Sequence, residues 1–78
     1  MTEKEETVFR VRAYSKRELA ALYFPETVDP RVAVTNLRNL IRRNPELREE
    51  LSAAHYRPRD RMFTPLQVRA IVEYLGEP

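Results

Sequence analysis

The chain has 78 residues, enough for one domain with a single small hydrophobic core. It contains no cysteine, which excludes disulfide bonds and thiolate metal sites, and no apolar run approaches the roughly 18 residues of a membrane span. The net charge is only +2, but twelve of the fourteen basic residues are arginine, whose planar guanidinium suits phosphates and guanine edges.

The first segment, MTEKEET, is acidic and polar and lacks the apolar stretch of a secretory signal. We expect a disordered acidic tail over residues 1–7, followed by a single domain over residues 8–78. The expected compartment is the cytoplasm.

The next segment, TVFRVRAY, alternates with period two, which predicts a strand with Phe9, Val11 and Ala13 on one side. A second β-capable segment, RDRMFT, follows much later in the chain. Because a lone strand leaves its backbone groups unpaired, we expect the two segments to form a small antiparallel ribbon.

Four helices are predicted from their capping signals, and Pro25 ends the first of them. The first begins near Lys16 after Ser15, with Glu18 completing a capping box. The next three each begin with proline after a capping residue, at Asp29-Pro30, Asn44-Pro45 and Thr64-Pro65. Expected ends are about Tyr23, Arg43, Ala54 and Leu75, and Gly76 suits a left-handed cap.

The second helix has two contrasting faces at 100° per residue. Its apolar face carries Ala33, Val34, Leu37, Leu40 and Ile41. A polar stripe away from it carries Arg31, Thr35, Arg38 and Arg42, flanked by Asn39 and Arg43.

The fourth helix is apolar over most of its circumference. Val68, Ile71, Val72 and Leu75 make one face, and Leu66, Ala70 and Tyr74 make a second stripe. Such a helix is either central to the core or shared with a partner chain. Central burial is the favoured interpretation, and a dimer seam along the second stripe is the alternative.

The first two helices are typical of a helix-turn-helix, in which the second helix presents a polar face to the major groove. The side chains that we expect to contact bases are Arg31, Thr35, Arg38, Asn39 and Arg42, since their groups match base edges. The alternative is plain: a basic stripe opposite an apolar face is also typical of any amphipathic surface helix.

A second basic segment, HYRPRDRMF, surrounds a predicted turn shaped by Pro58. Arg57, Arg59 and Arg61 alternate there, and we expect them to bind phosphates as a wing beside the recognition helix. Arg43, at the end of the second helix, is expected to bind phosphate as well. A solvated loop explains the same pattern. His55 lacks cysteine or histidine companions, and we expect neither a metal nor a catalytic role for it.

Three stretches, VRAYSKRELAALYFP, NLRNLIRRNPEL and FTPLQVRAIVEYLGEP, resemble a family of small proteins from gut anaerobic bacteria that carry a domain of unknown function. The resemblance covers about Phe9 to Pro78 and implies a compact, mostly helical domain. More loosely, SKRELAALY resembles the first helix of MerR-like and excisionase-like winged helix-turn-helix domains, although the connector FPETVDP is longer and lacks their glycine.

The sequence therefore predicts a mostly-α fold with a two-stranded ribbon, of winged helix-turn-helix type. The expected function is binding of duplex DNA as a small regulator or accessory factor, without enzymatic activity, cofactor or small-molecule substrate. A protein-interaction adaptor that uses the fourth-helix stripe or the acidic third helix is the main alternative, and RNA binding through the ribbon is a remote one. If the protein binds DNA, a homodimer that spans two half-sites is possible, with Leu66, Ala70 and Tyr74 as its candidate seam.

Overall fold

The computed structural model describes residues 9–78, which form four helices and two short strands. In chain order they are β1 (Tyr14–Ser15), α1 (Lys16–Tyr23), α2 (Pro30–Arg42), α3 (Pro45–Ala53), β2 (Met62–Phe63) and α4 (Pro65–Leu75). The mostly helical fold with a small antiparallel ribbon is confirmed. The predicted acidic tail and the start of the predicted first strand lie outside the described residues. Within 9–78, no helix has both the length and the apolar character needed to cross a bilayer.

Reciprocal capping boxes begin α1 and α4. The amide of Glu18 donates to Ser15 Oγ at 3.0 Å, and the amide of Ser15 donates to Glu18 Oε1 at 2.8 Å. Thr64 and Gln67 repeat the arrangement at α4, with distances of 3.0 and 3.2 Å. Each box satisfies amides that a helix start would otherwise leave unpaired, so both predicted starts are confirmed.

An aspartate caps the start of α2, and an asparagine caps the start of α3. Asp29 accepts a hydrogen bond from the Arg31 amide at 2.9 Å, and Asn44 accepts one from the Leu47 amide at 3.0 Å. Proline occupies the first turn of both helices, where its missing N–H removes no helical bond. Both helices end one residue before the predicted position.

The core lies where α1 packs on α2 and α3 packs on α4, with Phe63 of the ribbon among the fully buried side chains. Its buried hydrophobic residues are Tyr14, Leu19, Ala20, Ala33, Leu37, Ile41, Leu47, Leu51, Phe63, Val68, Ala70 and Ile71. The apolar faces predicted for α2 and α4 thus point inward, and α4 is central as expected.

The ribbon pairs Tyr14 with Phe63 and Ser15 with Met62 in antiparallel register. The predicted pairing of the two segments is therefore confirmed, but the predicted extent of the first strand is wrong. Strand β2 can offer only two residues, because Thr64 is already the cap of α4 and the bend at Arg61 precedes Met62.

Residues 9–13 fold back on Tyr14 instead of continuing the strand. The Tyr14 hydroxyl donates to the Arg10 carbonyl at 2.8 Å. The Phe9 ring stacks on the Tyr14 ring at 5.5 Å, and the Arg12 guanidinium lies 3.8 Å from the same ring's centroid. These contacts use both polar and aromatic groups of Tyr14, so the alternation of TVFRVRAY does not become a pleat, and Val11 is left about half exposed.

The end of α3 is closed by a Schellman motif that the sequence did not predict. The Tyr56 amide donates to the Leu51 carbonyl at 2.9 Å, and the His55 amide donates to the Ser52 carbonyl at 3.0 Å. His55 holds the left-handed position of this motif, with φ of 67°. The structural role of the only histidine is therefore to occupy a backbone position that glycine usually fills.

Gly76 follows α4 with a positive φ of 84°. Its ψ of 167° is extended and lies outside the left-handed helical region, so the predicted left-handed cap is wrong. The glycine is nevertheless required for its φ, because side chains disfavour such a conformation.

Candidate nucleic-acid interface

The basic stripe of α2 faces away from the core. Arg31, Thr35, Arg38 and Arg42 are all exposed, whereas Leu37 on the opposite face is only 2% exposed. The outward direction that the helical spacing predicts is thus present in the structure.

An open groove of about 760 Å³ runs beside this stripe. Its walls come from three separate parts of the chain: the first turn of α1, the exposed face of α2, and the turn formed by residues 57–61. The lining residues with cationic side chains are Lys16, Arg17, Arg31, Arg38, Arg59 and Arg61. Thr35 and Ser15 add hydroxyls, and the lining includes one carboxylate, Asp60.

The 57–61 turn is closed by its own hydrogen bonds. The Asp60 amide donates to the Arg57 carbonyl at 3.0 Å, and the Arg57 amide donates to Asp60 Oδ2 at 3.1 Å. Pro58 and Arg59 therefore occupy the centre of the turn, where a proline fixes the backbone. Because Asp60 is occupied with the turn backbone, it serves local structure as well as lowering the positive charge of the groove.

Few carboxylates neutralise the groove. Among residues 9–78, one pair of oppositely charged side chains lies within 4 Å: Arg31 and Asp29, whose nitrogen and oxygen atoms are 3.4 Å apart. The Arg31 side chain remains 81% exposed. Such an exposed pair contributes little energy. The carboxylates of α3 form no ion pair with the α2 arginines in this part of the chain, so the groove retains a strongly positive lining.

The remaining predicted contact residues lie outside the groove lining. Asn39 is half-buried on the flank of α2, and Arg42 and Arg43 lie at the C-terminal end of that helix. A cation there also stabilises the helix dipole, which gives Arg42 a structural role. Arg57 lies on the outer side of the turn, in a separate open recess with Pro58 and Arg59.

Lys16 and Arg17 line the groove although sequence reasoning did not select them. A signal was available: both residues are in the first turn of α1, where the positive end of the helix dipole disfavours cations. The helix dipole does not explain two adjacent basic residues at this position. A contribution to the positive charge of the groove does explain them.

The proposed seam along α4 is not a continuous exposed surface. Leu66 is 60% exposed, but Ala70 is only 6% exposed and lies beside Ala53, at the end of α3, and the capping residue Ala54. Tyr74 is half-buried. Partial burial, and then the negative charges of nearby glutamates led by Glu50, raise the pKa of Tyr74. The recess beside Ala70 is lined by two carboxylates, Glu50 and Glu73, and one cation, Arg69, whereas cations predominate in the groove.

The chain was also compared with known proteins. The family model of DUF4248, a domain of unknown function, matches residues 10–78, which include all six elements and every groove residue. No curated protein and no solved structure matches the chain. The looser resemblance to MerR-like and excisionase-like domains, and the origin in gut anaerobes, stay predictions. Because the match spans most of its length, the chain belongs to the DUF4248 family.

Proposed function

We propose that this protein binds duplex DNA, with the phosphates of one strand in the groove between α2 and the 57–61 turn. The observation that carries the proposal is the groove lining: six cationic side chains converge from three chain segments, against a single carboxylate. Neutralisation of phosphates by lysine and arginine side chains supplies essentially all of the non-specific affinity of DNA-binding proteins and a large share of the specific affinity. The lining suits binding of a polyanion rather than catalysis.

The α2 side of the groove supplies groups that suit base edges as well as phosphates. Arg31 and Arg38 line it with exposed side chains, and Thr35 lies one helical turn from each. Arginine can bond guanine through two parallel hydrogen bonds, and threonine can contact the thymine methyl group. In this proposal α2 lies along the major groove and the 57–61 turn acts as the wing on the adjacent backbone.

The connector between α1 and α2 supports a fixed helix pair despite its length. The Phe24 amide donates to the Ala20 carbonyl at 2.8 Å, and the Thr27 amide donates to the Phe24 carbonyl at 3.1 Å. Asp29 then caps α2. Because these bonds order the connector without a glycine, α1 can hold α2 in one orientation, as a helix-turn-helix requires.

Titration of a labelled mixed-sequence duplex, followed by fluorescence anisotropy at several salt concentrations, tests the proposal. We expect binding whose affinity falls steeply with salt. The double variant Arg31→Glu/Arg38→Glu should lose binding at low salt. Its matched control, Arg48→Glu/Arg69→Glu, makes the same charge change at exposed positions outside the groove and should retain most of the affinity.

Two results would contradict the proposal. One is the absence of binding by the wild-type protein at low salt. The other is an equal loss in the two double variants, which would reduce the effect to net charge. If unlabelled RNA or single-stranded DNA competes more strongly than unlabelled duplex, that nucleic acid, and not duplex DNA, is the preferred ligand.

A protein-binding adaptor is the second candidate, and the α3–α4 side favours it. A shallow recess there is lined by Leu66, Ala70, Glu50 and Glu73, with Arg69 as its one cation, and Leu66 is well exposed. A basic, apolar segment of another protein would complement this surface. Loss of a co-purifying protein on Leu66→Glu, with unchanged folding and no DNA binding by the wild type, would favour the adaptor.

A further inference from the structure

We infer that Lys16 is a positioning residue, which fixes the 57–61 turn as the second wall of the groove. Lys16 is one of the six cations of the groove lining, but it acts on a bound polyanion through the turn, which leaves the five arginines of that lining as the phosphate ligands. The second part of this inference rests on the proposed DNA-binding function, whereas the first part concerns the protein alone.

Lys16 is bonded to both halves of the turn. Its side-chain Nζ donates to the Pro58 carbonyl at 2.5 Å, and its backbone amide donates to the Arg61 carbonyl at 2.9 Å. The side-chain bond spans 42 positions of the sequence. One residue at the start of α1 therefore anchors a turn that is distant along the chain.

Aromatic rings hold the ammonium of Lys16 in place. Nζ lies 4.9 Å from the Tyr56 ring centroid and 5.9 Å from the Phe63 ring centroid. These two rings stack on each other at 5.5 Å, and Phe63 is fully buried. Because the ring faces attract a cation, the ammonium is directed toward the interior side of the turn, and Lys16 is only partly exposed.

The turn needs such an anchor because its cations repel one another. Arg57, Arg59 and Arg61 are all exposed within five consecutive positions, with Asp60 as the one carboxylate among them, and the repulsion between like charges opposes a compact turn. Ordering the turn in advance removes an entropic cost that binding would otherwise carry. Lys16 thereby makes Arg59 and Arg61 more effective ligands.

Arg17 provides a matched control. It is the next residue, lines the same groove and is exposed. Its side chain makes no hydrogen bond or ion pair within the described residues, so it has no comparable hold on the turn. Neutralising either residue removes one positive charge from the groove, but only Lys16 should affect the turn.

Backbone ¹⁵N relaxation of the protein without DNA tests the first part. In the wild type and in Arg17→Met, the amides of Arg59, Asp60 and Arg61 should have order parameters of about 0.85, typical of rigid backbone. In Lys16→Met those of Arg59 and Asp60 should fall toward about 0.6, the range of flexible segments, whereas the backbone bond from residue 16 still holds Arg61. Lys16→Arg keeps a cationic donor and should restore the wild-type values.

Equal order parameters in Lys16→Met and Arg17→Met would overturn the inference. Lys16→Gln is a milder second variant, to be used if Lys16→Met does not fold. Because these measurements involve no nucleic acid, they stand whether or not the protein binds DNA.

A double-mutant cycle on DNA affinity tests the second part. Lys16→Met should weaken binding about tenfold in the wild-type background, within the coupling range of contacting residues. In an Arg59→Ala/Arg61→Ala background the same change should cost less than about twofold, because no turn arginines remain to be positioned. Arg17→Met should cost the same in both backgrounds.

Additive losses for Lys16 would identify it as a direct phosphate ligand and refute this part. A wild-type protein that binds no duplex would refute the proposed function and the second part together. In that case the relaxation data alone would decide whether Lys16 orders the turn.

Discussion

Replacing His55 with glycine should stabilise the protein, although glycine usually destabilises. His55 adopts a φ of 67° at the end of α3, where the Schellman hydrogen bonds require a left-handed residue. The side chain is exposed and donates or accepts no hydrogen bond within the described residues. The substitution therefore removes backbone strain without breaking a side-chain hydrogen bond within the described residues.

The magnitude follows from two opposing terms. A residue with a Cβ pays about 1–2 kcal/mol in the left-handed region, and histidine lies toward the lower end, since it is enriched there. Glycine lowers the free energy of unfolding by about 0.5–1 kcal/mol, because it has more conformational freedom in the unfolded chain. The strain term wins, by at most about 0.5 kcal/mol. For a domain of this size a gain of about 0.5 kcal/mol corresponds to a rise in Tm of roughly 2–4 °C.

Thermal unfolding followed by circular dichroism at 222 nm, the usual helix band, measures the effect. His55→Ala keeps the strained backbone and should not raise Tm. Ala53→Gly places glycine in the last turn of α3, at ordinary helical φ, and should lower stability by about 1 kcal/mol. If His55→Gly lowers Tm as Ala53→Gly does, position 55 is not strained and the reasoning fails.

Three further predictions concern the groove, the helix ends and a buried amide. Arg38→Ala should reduce the slope of log affinity against log salt by about 0.9, the value for one phosphate contact, while Arg48→Ala leaves the slope unchanged; equal slopes would remove Arg38 from the interface. Burial, followed by the charge of Glu77, raises the pKa of Tyr23 from 10.0 to about 12, and its hydroxyl donates to the Gly76 carbonyl at 2.5 Å. Because the raised pKa favours the neutral phenol in the folded state, the contribution of Tyr23 to the free energy of unfolding is complete below pH 10 and is lost as pH rises toward 12. Tyr23→Phe should lower the free energy of unfolding by about 1 kcal/mol at pH 7 and should reduce the loss of stability at alkaline pH. An unchanged dependence of stability on pH would contradict this. Gln67 is 2% exposed, and its side chain donates to the Ala54 carbonyl at 2.9 Å and accepts from the Thr64 amide. Gln67→Leu should cost about 1–2 kcal/mol in urea unfolding, since two partly buried backbone groups lose partners. A smaller loss would mean that water replaces the side-chain amide.

The groove could be predicted from the sequence only in part. Arg31 and Arg38 follow from helical spacing, because one face of α2 must be buried and the other exposed. Arg59 and Arg61 follow from charge around a proline turn. Their common location beside Lys16 and Arg17 could not be predicted, because residues more than 40 positions apart are joined by the hydrogen bond from Lys16 to Pro58.

The fold divides in a similar way. Ser15, Thr64 and the proline-bearing caps determine where helices begin, since each cap bonds an amide only two or three residues away. The strand prediction failed at Tyr14, whose hydroxyl bends the preceding segment back to Arg10. Period-two alternation cannot reveal such a bond, and the length of the ribbon is limited by the partner strand.

The amino-acid sequence by itself determined the four helices, their starting residues and the outward face of α2. These features depend on bonds and spacings within about one helical turn, which any reader of the chain can recognise. The tertiary structure decided the register of the ribbon, the left-handed His55, the burial of Ala70 and the positive groove. Those depend on which distant surfaces pack together, and that choice is made by the core as a whole.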